Sequence, residues 1–175
     1  EQCLLRYPLE GSAALEAMLA ELPVVDCHEH TFLPDARPDR VDLGALFANT
    51  DVADDLISAG MPADARPALH WDAVAPYLDR VVNTGFHRSL MAALRDLFGY
   101  GEEVLTRADW ETLSAQLAAA NARPDWYDEV LTRRGRVEVT LRIQGGEADP
   151  YGVPRRWFRP IARIDDWIVA AGDPA

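Results

Sequence analysis

The chain has 175 residues, of which 49% are hydrophobic and 26% charged, enough for one domain with a sizeable core. Its 29 acidic against 17 basic side chains leave a net charge of -12, which argues against nucleic acid or an anionic membrane as the main partner. No apolar run approaches the ~18 residues of a membrane-crossing helix, and two cysteines are too few for a disulfide framework. The first residues lack a signal-peptide layout and an initiator Met, so a processed or trimmed start and a reducing cytoplasm are expected.

Residues 11–21 read as an amphipathic helix capped by Ser12, with Leu15, Met18, Leu19 and Leu22 at helical spacing. It leads into the β-branched pair Val24-Val25, bracketed by Pro23 and Pro34, which predicts a buried strand within residues 22–30 that ends near His30. An irregular loop with Pro34, Pro38 and several aspartates follows. Short helices are expected over 42–48 and 51–59. Asp42 caps the first, Leu43, Leu46 and Phe47 form its apolar face, and Gly60 ends the second.

Residues 71–82 and 85–98 read as longer helices parted by Asn83-Thr84-Gly85, and Phe86, Leu90, Leu94 and Leu97 predict one buried stripe on the second. Helices over 109–120 and 125–134 complete a helical block at 40–135. The pattern then changes. Residues 137–143 alternate apolar and polar side chains as a strand does, Gln144-Gly145-Gly146 stops the run, and 157–164 read as a third strand. Asp165 or Asp166 caps a last short helix. Strands 2 and 3 thus fall within 136–175, and the sequence holds no internal repeat.

Chemistry concentrates at the end of the first strand. Residues i and i+2 of a strand share a face, so His28 and His30 project together while Cys27 and Glu29 point away. Two imidazoles on a rigid strand end form half of a divalent-metal site. The plainer reading is that they hydrogen-bond each other or solvent, yet two polar rings closing a Val-Val strand are poorly explained by packing. Asp26, on the same face, reads either as an acceptor that orients an imidazole or as a carboxylate bound to backbone amides. A catalytic zinc needs about three protein ligands, and His70 and His87 are expected on a helix surface or interface instead. Arg133-Arg134-Gly135-Arg136 suits a solvated helix end. The chain has neither a glycine-rich nucleotide fingerprint nor a Gly-x-Ser-x-Gly elbow.

The run Val24-Val25-Asp26-Cys27-His28-Glu29-His30 resembles the first barrel strand of the amidohydrolase superfamily, whose pattern is apolar residues, Asp, any residue, His, any residue, His. The order Trp71, Pro76-Tyr77, Asn83-Thr84-Gly85-Phe86 and Leu97-Phe98-Gly99 is similar to the helical insertion after strand 1 of uronate-isomerase-like members. The resemblance implies an α/β fold, the N-terminal part of a (β/α)8 TIM-type barrel with a large helical insertion after strand 1. It also implies that His28 and His30 bind a divalent metal, Zn2+ above others, at the carboxyl end of that strand. Arg163 and Asp165, at the end of the third strand, sit where such a barrel places substrate-binding groups. Arg163 can grip a substrate carboxylate as a planar fork or pair with an acid of this chain, and Arg142 has the same two readings.

The remaining ligands of the superfamily, a carboxylated Lys or a Glu, further His and an Asp, come from later strands, and nothing here matches them. A complete barrel takes about 250 residues, so a single incomplete barrel domain with about three strands is expected. Either the natural polypeptide continues beyond Ala175, or its exposed strand edge is covered in another way, such as a homo-oligomer. The activity implied is that of a metal-dependent hydrolase, with a metal-activated water attacking an amide, ester or related bond of a small-molecule substrate. The alternatives are a uronate-isomerase-like sugar-acid isomerase, a decarboxylase of the same superfamily, and a non-catalytic fragment or interaction module.

Overall fold

A computed structural model describes residues 12–28, 31–39, 41–102, 104–143, 156–161 and 168. It is a mixed α/β structure, mostly helical, with one three-stranded parallel sheet. The chain divides into two units, one of Glu1–Ala36 with Tyr127–Ala175 and one of Arg37–Trp126. No helix among the described residues is long and apolar enough to cross a membrane.

The first unit holds helix α1 (Ser12–Glu21) and strands β1 (Val24–Asp26), β2 (Val137–Ile143) and β3 (Phe158–Ile161), adjacent in the order β1-β2-β3. Val24 pairs with Val137, Val25 with Val139 and Asp26 with Thr140, the extra residue Glu138 forming a bulge in β2. Thr140 then pairs with Phe158 and Ile143 with Ile161. Arg136 fastens the start of this sheet. Its φ of 49° lies in the left-handed region, its carbonyl accepts the Val24 N–H at 2.9 Å, and its Nη2 donates to the Leu22 carbonyl at 2.9 Å.

Asp128–Arg134 forms a wide π-type helix rather than the ordinary helix expected over 125–134. The Gly135 N–H reaches five residues back to the Val130 carbonyl at 2.8 Å, and a Cβ on Gly135 would lie 2.9 Å from that oxygen. Arg133 and Arg134 lie exposed at the end of this helix, and both pair with Glu129, at 3.1 and 2.7 Å. The Arg134 hydrogen bond, followed by that of Arg133, holds the Glu129 carboxyl below its ordinary pKa.

Three expectations for this unit need correction. The strand expected to be buried up to His30 stops at Asp26, and Val24 and Val25 are 43% and 56% exposed. Within the described sheet β1 is an edge strand, so its side chains lack a neighbour on one flank. The apolar stripe of α1, expected to cover a barrel floor, is also open: Leu15, Met18, Leu19 and Leu22 are all about half exposed. Ser12 is the first residue of the helix instead of its cap. The third strand is described over Phe158–Ile161, and the rest of its expected span, with Asp165 and Asp166, lies outside the described residues.

The second unit packs five helices: α2 (Leu43–Ala48), α3 (Val52–Ser58), α4 (Trp71–Val81), α5 (Gly85–Phe98) and α6 (Arg107–Asn121). Asp42 caps α2 as its position predicts, its Oδ1 accepting the Ala45 N–H at 2.8 Å. Leu43 and Phe47, one turn apart, are fully buried with Val52, Leu56 and Val74. Each such side chain contributes roughly 1.5–3 kcal/mol of burial free energy. Phe47 and Trp71 both pack on Trp110 of α6, with ring centroids 5.2 and 6.1 Å apart. Thr106 and Asp109 form a reciprocal capping box at the start of α6, and Gly99, at φ 70°, ends α5 in the left-handed conformation.

Helix α5 spans the expected residues, but its buried face is turned by one position. His87, Leu90, Met91 and Leu94 face the core, while Phe86 is 53% exposed and Leu97 half-buried. His87, expected on a surface or interface, is only 4% exposed. Residues 87, 90, 91 and 94 stand at i, i+3, i+4 and i+7, the spacing of one helix face, which position 86 leaves by about 100°. His70 behaves as expected, exposed at the start of α4.

Candidate functional site at the carboxyl end of the sheet

The strand ends before the histidine pattern does. Asp26 Oδ1 accepts the backbone N–H of His28 at 3.2 Å, the hydrogen bond of an Asx-turn, and this bond competes with continued pairing along β2. The Asp26 carboxylate is thus bound to a backbone amide, one of the two readings of this residue. His28 consequently lies in the turn beyond β1, and it is exposed, as is Cys27. Strand alternation is described only as far as Asp26, and the shared face expected of His28 and His30 lies outside the described residues. His30, Glu29 and Arg163 lie outside the described residues.

Register places Asp26, Thr140 and Phe158 side by side across the three strands. Arg142, two residues after Thr140, falls on the same face, and its guanidinium lies 5.8 Å from the centre of the Phe158 ring. On this face Thr140 is buried, at 1% exposure. Phe158, its neighbour on β3, forms a small core with Tyr127, with Leu33, Leu131 and Trp157 partly buried against them. Thr140 Oγ1 has no hydrogen-bond partner among the described residues. An orphaned hydroxyl in the middle of β2, paired across from the Asp26 carboxylate at the end of β1, is the kind of group that awaits a water or ligand.

Arg142 also reaches the segment beyond β1. Its Nη1 donates to the Thr31 carbonyl, in the segment that follows His30. Tyr127, placed by the sequence only in a helix, donates its hydroxyl to the next carbonyl, that of Phe32. Tyr127 and Thr140 are the residues that sequence reasoning passed over. Their signal was faint: a tyrosine with a polar tip in a buried setting, and a threonine at the alternation position otherwise taken by Glu138 and Arg142.

Among the described residues, no group of three or more His, Cys, Asp or Glu is close enough to hold a metal ion. The geometry joins Asp26 to His28 and Arg142 to Thr31, while His70 and His87 belong to the helical unit. No protein-family model matches the chain, and no curated protein matches it.

Proposed function

We propose that the chain carries the first strands of a metal-dependent hydrolase of the amidohydrolase superfamily, built on a (β/α)8 barrel. The observation that supports this reading is the order of the sheet. β1, β2 and β3 are parallel and neighbour one another in chain order, and Asp26-Cys27-His28 stands at the carboxyl end of the first. Parallel barrels begin in this way and place their chemistry at that end.

The donor chemistry agrees with a divalent ion. An imidazole two residues after a half-buried carboxylate suits Zn2+, and a site of about three protein ligands calls on His30 and at least one further group besides His28. In this reading His28 and His30 hold the ion, while Asp26 fixes the main chain of His28. A divalent ion bound there supplies Lewis-acid polarisation and an acidified water at neutral pH. The orphaned Thr140 hydroxyl stands beside Asp26 as a candidate contact for substrate or water.

Metal content of the purified chain tests this. About one divalent ion per chain is expected, lost in the His28→Ala/His30→Ala double variant. Loaded protein is then expected to turn over a member of a panel of amides, lactones and sugar acids. An interaction module is the second reading, favoured by the exposed apolar side chains of α1 and β1. Wild-type protein without metal would decide for it.

A further inference from the structure

The segment after the histidine pattern is held from two sides. Arg142 on β2 donates to the Thr31 carbonyl, and Tyr127 donates to the Phe32 carbonyl, so two consecutive backbone acceptors are captured by side chains 111 and 95 residues away in sequence. Both donors are themselves held by packing. The Arg142 guanidinium lies over the Phe158 ring, and the Tyr127 ring packs on Trp157 with centroids 5.7 Å apart. Leu33, the next residue, is partly buried against Tyr127 and Phe158. Upstream, Asp26 holds the backbone of His28. The main chain is thereby fixed at residue 28 and again at 31, 32 and 33.

We infer that Arg142 and Tyr127 are positioning residues for the metal site, a role that rests on the reading of His28 and His30 as ligands. Neither side chain needs to touch the ion. By holding the Thr31 and Phe32 carbonyls they fix the main chain immediately after the histidine pattern, and through it support the site that His28 and His30 would form. Partners that orient ligands from behind typically change metal affinity by about 10- to 100-fold.

The sign of the effect separates this role from two simpler ones. Arg142 is a cation near a proposed dication site, so a purely electrostatic influence predicts tighter metal binding when its charge is removed. A purely structural role predicts lower stability with unchanged affinity. Positioning predicts weaker affinity at retained fold.

The test uses the full chain, with Co2+ as a spectroscopic probe and amide exchange followed in peptides covering residues 27–36 and 85–98. Tyr127→Phe removes one hydroxyl and leaves the ring packing, and Arg142→Met removes the charge and leaves an apolar stem over Phe158. Each is expected to weaken Co2+ binding by about tenfold, and the pair by more. Exchange should quicken over 27–36 and stay unchanged over 85–98. Arg142→Lys, which can still donate to a carbonyl, should recover part of the affinity. Unchanged Co2+ affinity in both single variants, or tighter binding by Arg142→Met, overturns the inference and leaves the metal reading standing. Absence of Co2+ binding by the wild type overturns the metal reading itself, and the positioning role with it.

Discussion

His87 shows how one buried titratable residue couples the helical unit to pH. Its ring is almost fully buried on α5, and Nδ1 has no hydrogen-bond partner among the described residues. Burial lowers its pKa below the ordinary 6.5, against the opposing pull of the Asp55 charge and a hydrogen bond to the Val82 backbone. The folded protein thus holds the neutral ring, while the unfolded chain takes up a proton near pH 6.5. Stability contributed in this way is complete above that pH and is lost as the pH falls through it towards the folded value. The urea midpoint should therefore drop between about pH 7 and 5, and His87→Leu should flatten that slope. An equal slope in the variant would assign the drop to other groups. The carboxyls of Asp109 and Glu129, held below their ordinary values by Thr106 and Arg134, lose stability only at lower pH. At this scale the candidate site was half legible. Asp26 and His28 stand out in the sequence because polar side chains close an apolar run. Arg142 and Tyr127 do not, since their partners Thr31 and Phe32 are about a hundred residues away and are backbone atoms, which carry no residue code.

Among the elements, α2 carries the tightest constraint. A Cβ on Gly44 would lie 2.0 Å from the Leu69 carbonyl oxygen, so only glycine lets this helix approach the segment before α4. The neighbour is backbone, which cannot swing aside as a side chain does. Gly44→Ala is therefore expected to cost about 1–3 kcal/mol or more, whereas glycine to alanine in an open helix interior would stabilise by up to about 1 kcal/mol. Thermal unfolding of the variant reads the sign directly. A raised midpoint would show that α2 and Leu69 part at little cost. The same helix explains which elements sequence could locate. Asp42, Gly60 and Gly99 punctuate the chain with local chemistry, and the helices they bound appear within a residue or two of expectation. What was misjudged depends on tertiary surroundings: the rotation of α5 that buries His87 in place of Phe86, and the exposure of β1 and α1. Periodicity states that a face exists, and only the neighbours decide which residues at its margin are covered.

At the scale of the whole molecule, the helical unit Arg37–Trp126 has what an independent folding unit needs. Its buried core runs from Leu43 to Leu113, with Leu117 packed against it, all within the unit among the described residues. Its two ends are also tied within the unit. Asn121 Nδ2 donates to the Pro38 carbonyl at 2.8 Å, and Arg37 Nη2 donates to the Arg123 carbonyl at 3.4 Å. Ends held close together are the mark of a segment that can be inserted into, or cut from, a longer chain. The sheet unit is differently placed, with short strands and a small cluster around Tyr127 and Phe158. The apolar side chains of its first helix and strand remain exposed. A fragment of residues 37–126 should accordingly fold alone, with a helical circular-dichroism spectrum and a cooperative urea transition. In the full chain, exchange-protected amides should then persist in α2 to α6 at urea concentrations where those of β1 to β3 are already lost, two steps instead of one. A fragment that stays unfolded, together with a single transition in the full chain, would show that the five helices draw their stability from the sheet unit and that the division into two cores is geometric only.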